Sequence, residues 1–130
     1  MKKNLLILVC ISSLLFPRKV IVKLATLAPE GTDWHGMLIE MGQKWKKESK
    51  GTVQLKIYPS GVIGDERDMV RKMRIGQIHA AGITTEGLTE IVPDFSAFFV
   101  PLAFQSLDDV QNVKDALLPD LEKQIESKGF

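Results

Sequence analysis

The chain has 130 residues, enough for one ordinary domain, and its 45% hydrophobic and 25% charged content is that of a globular chain rather than a disordered one. Its 17 Lys and Arg stand against 16 Asp and Glu, a net charge of +1, so it lacks the basic surplus with which a nucleic-acid binder neutralises phosphates. One cysteine excludes an intrachain disulfide and a cysteine metal site, and the two histidines are not in metal-binding spacing.

Lys2 and Lys3 precede the apolar run NLLILVCISSLLF, residues 4–16. A positive start followed by a short apolar stretch is the pattern of a secretory leader. The run is shorter than the ~20 residues that a settled membrane helix needs. We expect residues 1–18 to be a leader and residues 19–130 to be the functional part. No small-x-small cleavage site precedes Pro17, which leaves a buried N-terminal strand or helix as the alternative. Cys10 follows Leu8 and Val9, a poor fit to a lipid-anchor site, and reads as an ordinary leader residue.

The sequence VIVKLAT, Val20–Thr26, is β-branched and mostly apolar, as in a strand buried on both faces. Thr32 can cap the next helix, with Asp33 favourable in its first turn. Trp34, Met37, Leu38, Met41 and Trp45 recur at helical spacing and read as its core face. Gly51 suits the left-handed stop. VQLKIY, Val53–Tyr58, alternates with period two, and Pro59, Ser60 and Gly61 turn the chain. Asp65 is then an N-cap, with Asp68 in capping-box position. Met69, Val70 and Met73 form that helix's stripe, and Gly76 ends it.

Residues 78–83, IHAAGI, read as a short central strand whose small side chains let helices pack closely. A helical turn is expected over residues 88–92, broken by Pro93, followed by an aromatic, Pro-interrupted stretch at 95–104. Ser106 and Asp109 mark a second capping box. That helix is expected to run to about Leu118, and Pro119 to open a last helix with Leu121 and Ile125 inside. The order is β-α-β-α-β followed by helices: an α/β layer fold with a mainly parallel sheet and flanking helices.

Ligands of open α/β sheets collect outside the C-terminal ends of the strands. Those ends are residues 27–32, 58–66 and 84–87, all polar and rich in Gly or Pro. Helices begin after the first two, so the rim suits a small polar, anionic ligand. Each residue also has a plainer reading. Thr32, Asp33 and Asp65 serve as caps, and Glu30, Glu66 and Glu86 as solvated acids. Trp34 and Trp45 pack as core, Trp34 being the better ligand platform. His35 adjoins the first loop, and His79 sits in a strand. No nucleophile elbow, phosphate loop or paired metal-ligand histidines occur, so no cofactor and no metal are expected, and a two-carboxylate site stays open.

The pieces KLATLAPEGTDWH, VQLKIYPSGVIGDERDMVRKMRIGQI, IVPDFSAFFVPLAF and the SLDDV helix start resemble the N-terminal part of TRAP (tripartite ATP-independent periplasmic) transporter solute-binding proteins of the dicarboxylate-receptor type. The resemblance runs from about Val20 to Phe130. It implies one partial lobe of a two-lobed, hinge-closing, periplasmic-binding-protein-like fold. It also implies a periplasmic receptor, with no enzymatic activity, that closes on a small organic acid and delivers it to the TRAP membrane permease. Its ligand contacts, carried onto this chain, fall at Leu27, Ala28, Glu30, Asp65, Glu66, Thr84, Thr85 and Glu86, with Trp34 beside them.

The family's arginine for the ligand carboxylate lies in its second lobe, and Arg67, Arg71 and Arg74 do not occupy that motif. The chain therefore reads as truncated, a fragment, or one piece of a split receptor. The alternative is an α/β interaction module that has lost ligand binding and pairs with another chain. A third reading is a small α/β enzyme with Glu66 or Glu86 as base.

Overall fold

The computed structural model describes residues 18–130, so the expected leader, apart from Arg18, lies outside the described residues. Three strands, β1 (Val20–Thr26), β2 (Val53–Tyr58) and β3 (Ala80–Gly82), form a parallel sheet in the order β2-β1-β3. Val20 pairs with Val53, Ala25 with Tyr58 and Thr26 with Gly82. Helix α1 (Asp33–Glu48) connects β1 to β2, and α2 (Glu66–Arg74) connects β2 back across β1 to β3. Right-handed crossovers running in opposite directions place the two helices on opposite faces. The contacts agree. A Cβ on Gly42 of α1 would stand 3.0 Å from the Leu55 Cβ, whereas Met69 of α2 packs on Ala25, the partner of Tyr58. Leu55 and Tyr58 are three residues apart and so face opposite ways.

The remaining elements are α3 (Thr85–Thr89), a 3-10 helix (Pro93–Phe99) and α4 (Leu107–Ser127). They form a second cluster, in which Ile91, Val92, Phe95 and Leu121 close over Val70 of α2. Met69 is therefore buried on the sheet side of α2 and Val70 on the helical side, and Met73 and Ile83 touch both clusters.

Several local expectations are corrected. The expected core stripe of α1 is only partly inward: Leu38 and Met41 are half-buried, while Trp34 is 56% exposed and Met37 58%. The sheet-facing side runs through His35 and Gly42, because the missing side chain at Gly42 allows the closest approach. The strand expected over 78–83 shrinks to three residues. Ile78 is still tied to the end of α2 through the Lys72 carbonyl, and the His79 amide enters the sheet edge by donating to the Lys23 carbonyl (2.9 Å). The turn expected at 88–92 is α3, which starts earlier. Pro119 opens no new helix, since α4 runs through it. Proline removes one helical N–H, but its position is exposed, and Leu121 and Ile125 beyond it are held on the core. The capping box at Asp65 is half formed: Asp65 accepts from the Asp68 amide (2.8 Å), while the Asp68 carboxylate turns to Arg71. The box at Ser106 and Asp109 is complete.

Met69→Ala is expected to cost about 2–5 kcal/mol, a large part of a domain's stability, and Met37→Ala within about 0.5 kcal/mol. Urea denaturation monitored by circular dichroism checks the pair, and equal losses would contradict this assignment of the α1 and α2 faces. The Gln105 amide, then Ser106, hold the Asp109 carboxyl below its usual range. A carboxylate depressed in the folded state stabilises above its unfolded pKa and loses that contribution as pH falls through the lowered value. The start of α4 is thus expected to loosen only at pH below the ordinary aspartate range, as read from the Gln105 and Ser106 amide shifts during acid titration.

Candidate functional site

The three strand-end loops lie along one rim, and two of them are joined through the backbone. The Ser60 amide donates to the Ala28 carbonyl (2.9 Å) and the Gly61 amide to the Thr26 carbonyl (3.0 Å). The Glu30 amide adds a bond to Ser60 Oγ (3.1 Å). Ser60 and Gly61 have φ of 54° and 66°, the left-handed turn that brings this loop back over β1. On the other side of the first loop, the buried His35 accepts the Gly31 amide through Nδ1 (3.2 Å), so its imidazole serves as a loop anchor.

The third loop meets α2 through side chains. The Thr84 amide donates to Glu66 Oε1 (2.7 Å) and the Thr84 hydroxyl to Oε2 (2.8 Å). Glu66 is 9% exposed, a burial that a carboxylate tolerates when both oxygens are bonded.

A cleft of about 330 Å³ opens at this point, lined by Leu27, Asp65, Glu66, Arg67, Glu86, Gly87 and Glu90. Four of the residues expected from sequence therefore meet: Leu27, Asp65, Glu66 and Glu86. Thr84 stands behind them on Glu66. Ala28 and Glu30 contribute backbone groups to the joint between the first two loops, Thr85 opens α3, and Trp34 lies at the surface near Gly82, about 3.9 Å from where a Cβ of that glycine would stand. Arg67, Glu90 and Ser60 were not singled out as site residues. Arg67 and Glu90 meet across 23 positions with no local sequence signal, and Ser60 was legible only as part of its turn.

The charge of the cleft is one-sided. Its lining carries four carboxylates and a single cation, Arg67, whose guanidinium is already paired with Glu90 (2.9 Å) and is held more firmly protonated by that bond. The capped start of α2 has spent one amide on Asp65. This rim therefore offers hydrogen-bond acceptors to hydroxyl or amine donors and no free clamp for an anion.

Comparison with known proteins places this geometry. The family model for bacterial extracellular solute-binding proteins, family 7, matches residues 24–130. A solute-binding protein of Roseobacter denitrificans is 27% identical over 113 residues, covering 87% of this chain and 34% of the relative. Among solved structures, a TRAP periplasmic solute-binding protein of Sulfurospirillum deleyianum with bound succinate superposes with a TM-score of 0.75 at 18% identity, over 87% of this chain and 37% of that one. One from Sulfitobacter with bound β-D-galacturonate gives 0.73 at 17%, over 84% and 37%. The chain thus spans about a third of the length of the relatives it matches, and its fold is that of a partial lobe of these receptors.

Asp65→Ala, which removes the cap at the cleft's edge, is expected to cost about 1 kcal/mol, and Asp65→Asn only a few tenths. Chemical denaturation of the two variants side by side checks the cap. A full loss in Asp65→Asn would mean that the charge, not the acceptor, does the work.

Proposed function

The chain belongs to bacterial extracellular solute-binding protein family 7, and from that membership we propose that it is the first lobe of a TRAP-type receptor for a small organic acid. In this reading it works in the periplasm, reached through the N-terminal leader, and hands its cargo to the membrane permease. The family is one of receptors, and we assign the chain no catalytic role.

The observation that carries this reading is the position of the cleft. It lies at the C-terminal ends of parallel strands, where open α/β folds take their ligands, and it is built from the loops that resemble the family's contacts. The acceptor-rich lining supports a ligand whose hydroxyls face this lobe and whose carboxylate faces the other. The relatives bind succinate and galacturonate, so a carboxylate is the shared feature, and a dicarboxylate is one choice among several.

Two-lobed receptors draw their affinity from closure, and a ligand shifts that equilibrium only by contacting both lobes. The 130-residue chain alone is therefore expected to bind succinate or galacturonate no tighter than about 1 mM, ~4 kcal/mol. Isothermal calorimetry giving micromolar affinity for either acid would contradict the two-lobe reading. Disruption of the gene in its host is expected to lower uptake of at least one radiolabelled organic acid. Unchanged uptake across a panel of mono- and dicarboxylates and sugar acids would overturn the receptor assignment.

A further inference from the structure

We infer that Glu66 is a positioning residue, whose carboxylate sets where the third rim loop stands, so that Glu86 and Thr85 are placed by it. The inference rests on the receptor reading for its purpose and on geometry for its substance.

The rim is held together unevenly. The first two loops are joined mainly by main-chain bonds, from Ser60 to Ala28 and from Gly61 to Thr26. Those bonds need the left-handed turn at Ser60 and Gly61 but no partner side chain from another loop. β3 ends at Gly82, its last partner on β1 being Thr26. Beyond that point, residues 84–87 have no main-chain hydrogen bond to either of the other two loops among the described residues. Ile83 and Leu88 on either side pack on the core, and the hydrogen-bonded link of residues 84–87 themselves to the rim is the pair of bonds from Thr84 to Glu66.

Two further features show that the neighbourhood is shaped around this carboxylate. Thr84 is the N-cap residue of α3, yet its hydroxyl caps nothing: the bond that a threonine there ordinarily gives its own helix goes to Glu66 instead. Gly87 is buried directly against the carboxylate. A Cβ at that position would stand 2.7 Å from Oε2 and 2.9 Å from the Glu66 Cβ. A side chain at Gly87 does not fit unless Glu66 moves. Both Glu66 oxygens are engaged by a donor pair whose spacing comes from one residue, which makes the contact bidentate and orienting as well as attractive. What faces the cleft from the third loop is then Glu86, at a distance from Asp65 that Glu66 fixes.

The test uses the full 130-residue chain with three substitutions. Glu66→Gln keeps the shape but replaces one carboxylate oxygen with an NH2 group, so that at best a neutral bond, reversed in direction, stands where the Thr84 hydroxyl now makes a charge-assisted one. Thr84→Val keeps the amide and the shape and removes the hydroxyl. Thr84→Ser keeps both donors. Amide hydrogen exchange read by NMR is expected to quicken about ten- to a hundredfold at residues 84–88 in Glu66→Gln and Thr84→Val. Amides of Ala25 and Met69 should change far less, and Thr84→Ser should retain wild-type protection.

Unchanged exchange at residues 84–88, or an equal rise there and in the core, overturns the inference. Should Glu66→Gln fail to fold, Thr84→Val reads the same link. In the host uptake assay, Thr84→Val, which leaves the Glu66 charge in place, is expected to raise the half-saturating concentration as much as Glu66→Gln. A loss confined to Glu66→Gln would assign the carboxylate to ligand contact and overturn the positioning role. The exchange measurement contains no ligand, so failure of the receptor reading leaves it standing, and the reverse holds too.

Discussion

One nine-residue helix, α2, joins the sheet to the helical layer packed on its other side. Met69 seats it on the sheet and Val70 seats the helical layer on it, so neighbouring residues serve two cores. Such a short helix has little stability of its own. Its order comes from being packed on two sides, and from a cap at Asp65 that fixes where its first turn begins. Because Glu66 is in that first turn, the cleft inherits its position from the same packing. Core and site are thus not separable here: a shift of α2 on Ala25 moves the third loop with it.

How much of this was legible depends on the range of the interactions. The strands at Val20–Thr26 and Val53–Tyr58, the cap at Asp65, the stripe of Met69 and Val70 and the box at Ser106 and Asp109 are all local signals, and each stands where its residues indicate. The inner face of α1 was partly misread because its markers include an imidazole and a glycine. Periodicity counts apolar side chains, while the packing was decided by the absence of one at Gly42. Pro119 was misread because a lost hydrogen bond at an exposed position is weaker than the burial of Leu121 beyond it. Which strand ends form the rim followed from the order of elements alone. That Glu66 spends its charge on Thr84, 18 residues away, and that Arg67 spends its own on Glu90, did not. Tertiary pairings of this kind leave no period and no spacing to count.

The electrostatics of the cleft bear on how the work of recognition is divided. A lobe that carried both the acceptors and the anion clamp would bind its ligand open and gain little from closing. Here the acids outnumber the one cation, and that cation is neutralised by a carboxylate of its own lobe. A carboxylate-bearing ligand approaching this rim alone meets like charge, which a partly buried setting does not screen well. It becomes favourable only when an opposing surface supplies the positive charge. In the receptor we propose, dividing the two roles between lobes would make closure conditional on a ligand that an opposing positive surface can hold at one end.

The uneven construction of the rim adds to that division. Main-chain bonds between the first two loops depend on the left-handed turn at Ser60 and Gly61 and on no long-range side-chain pair, so that part of the cleft is a fixed reference surface. Between Ile83 and Leu88, which pack on the core, the third loop is hydrogen-bonded to the rim by one carboxylate and one threonine, with Gly87 allowing the approach. A change of one methylene at residue 66, or one methyl at residue 87, would therefore shift Glu86 against Asp65 without disturbing the sheet. Relatives with this fold bind ligands as different in size as succinate and galacturonate. In this chain the rim has one side joined by main-chain bonds and one side linked to α2 by a single side-chain contact, so the two sides respond differently to substitution.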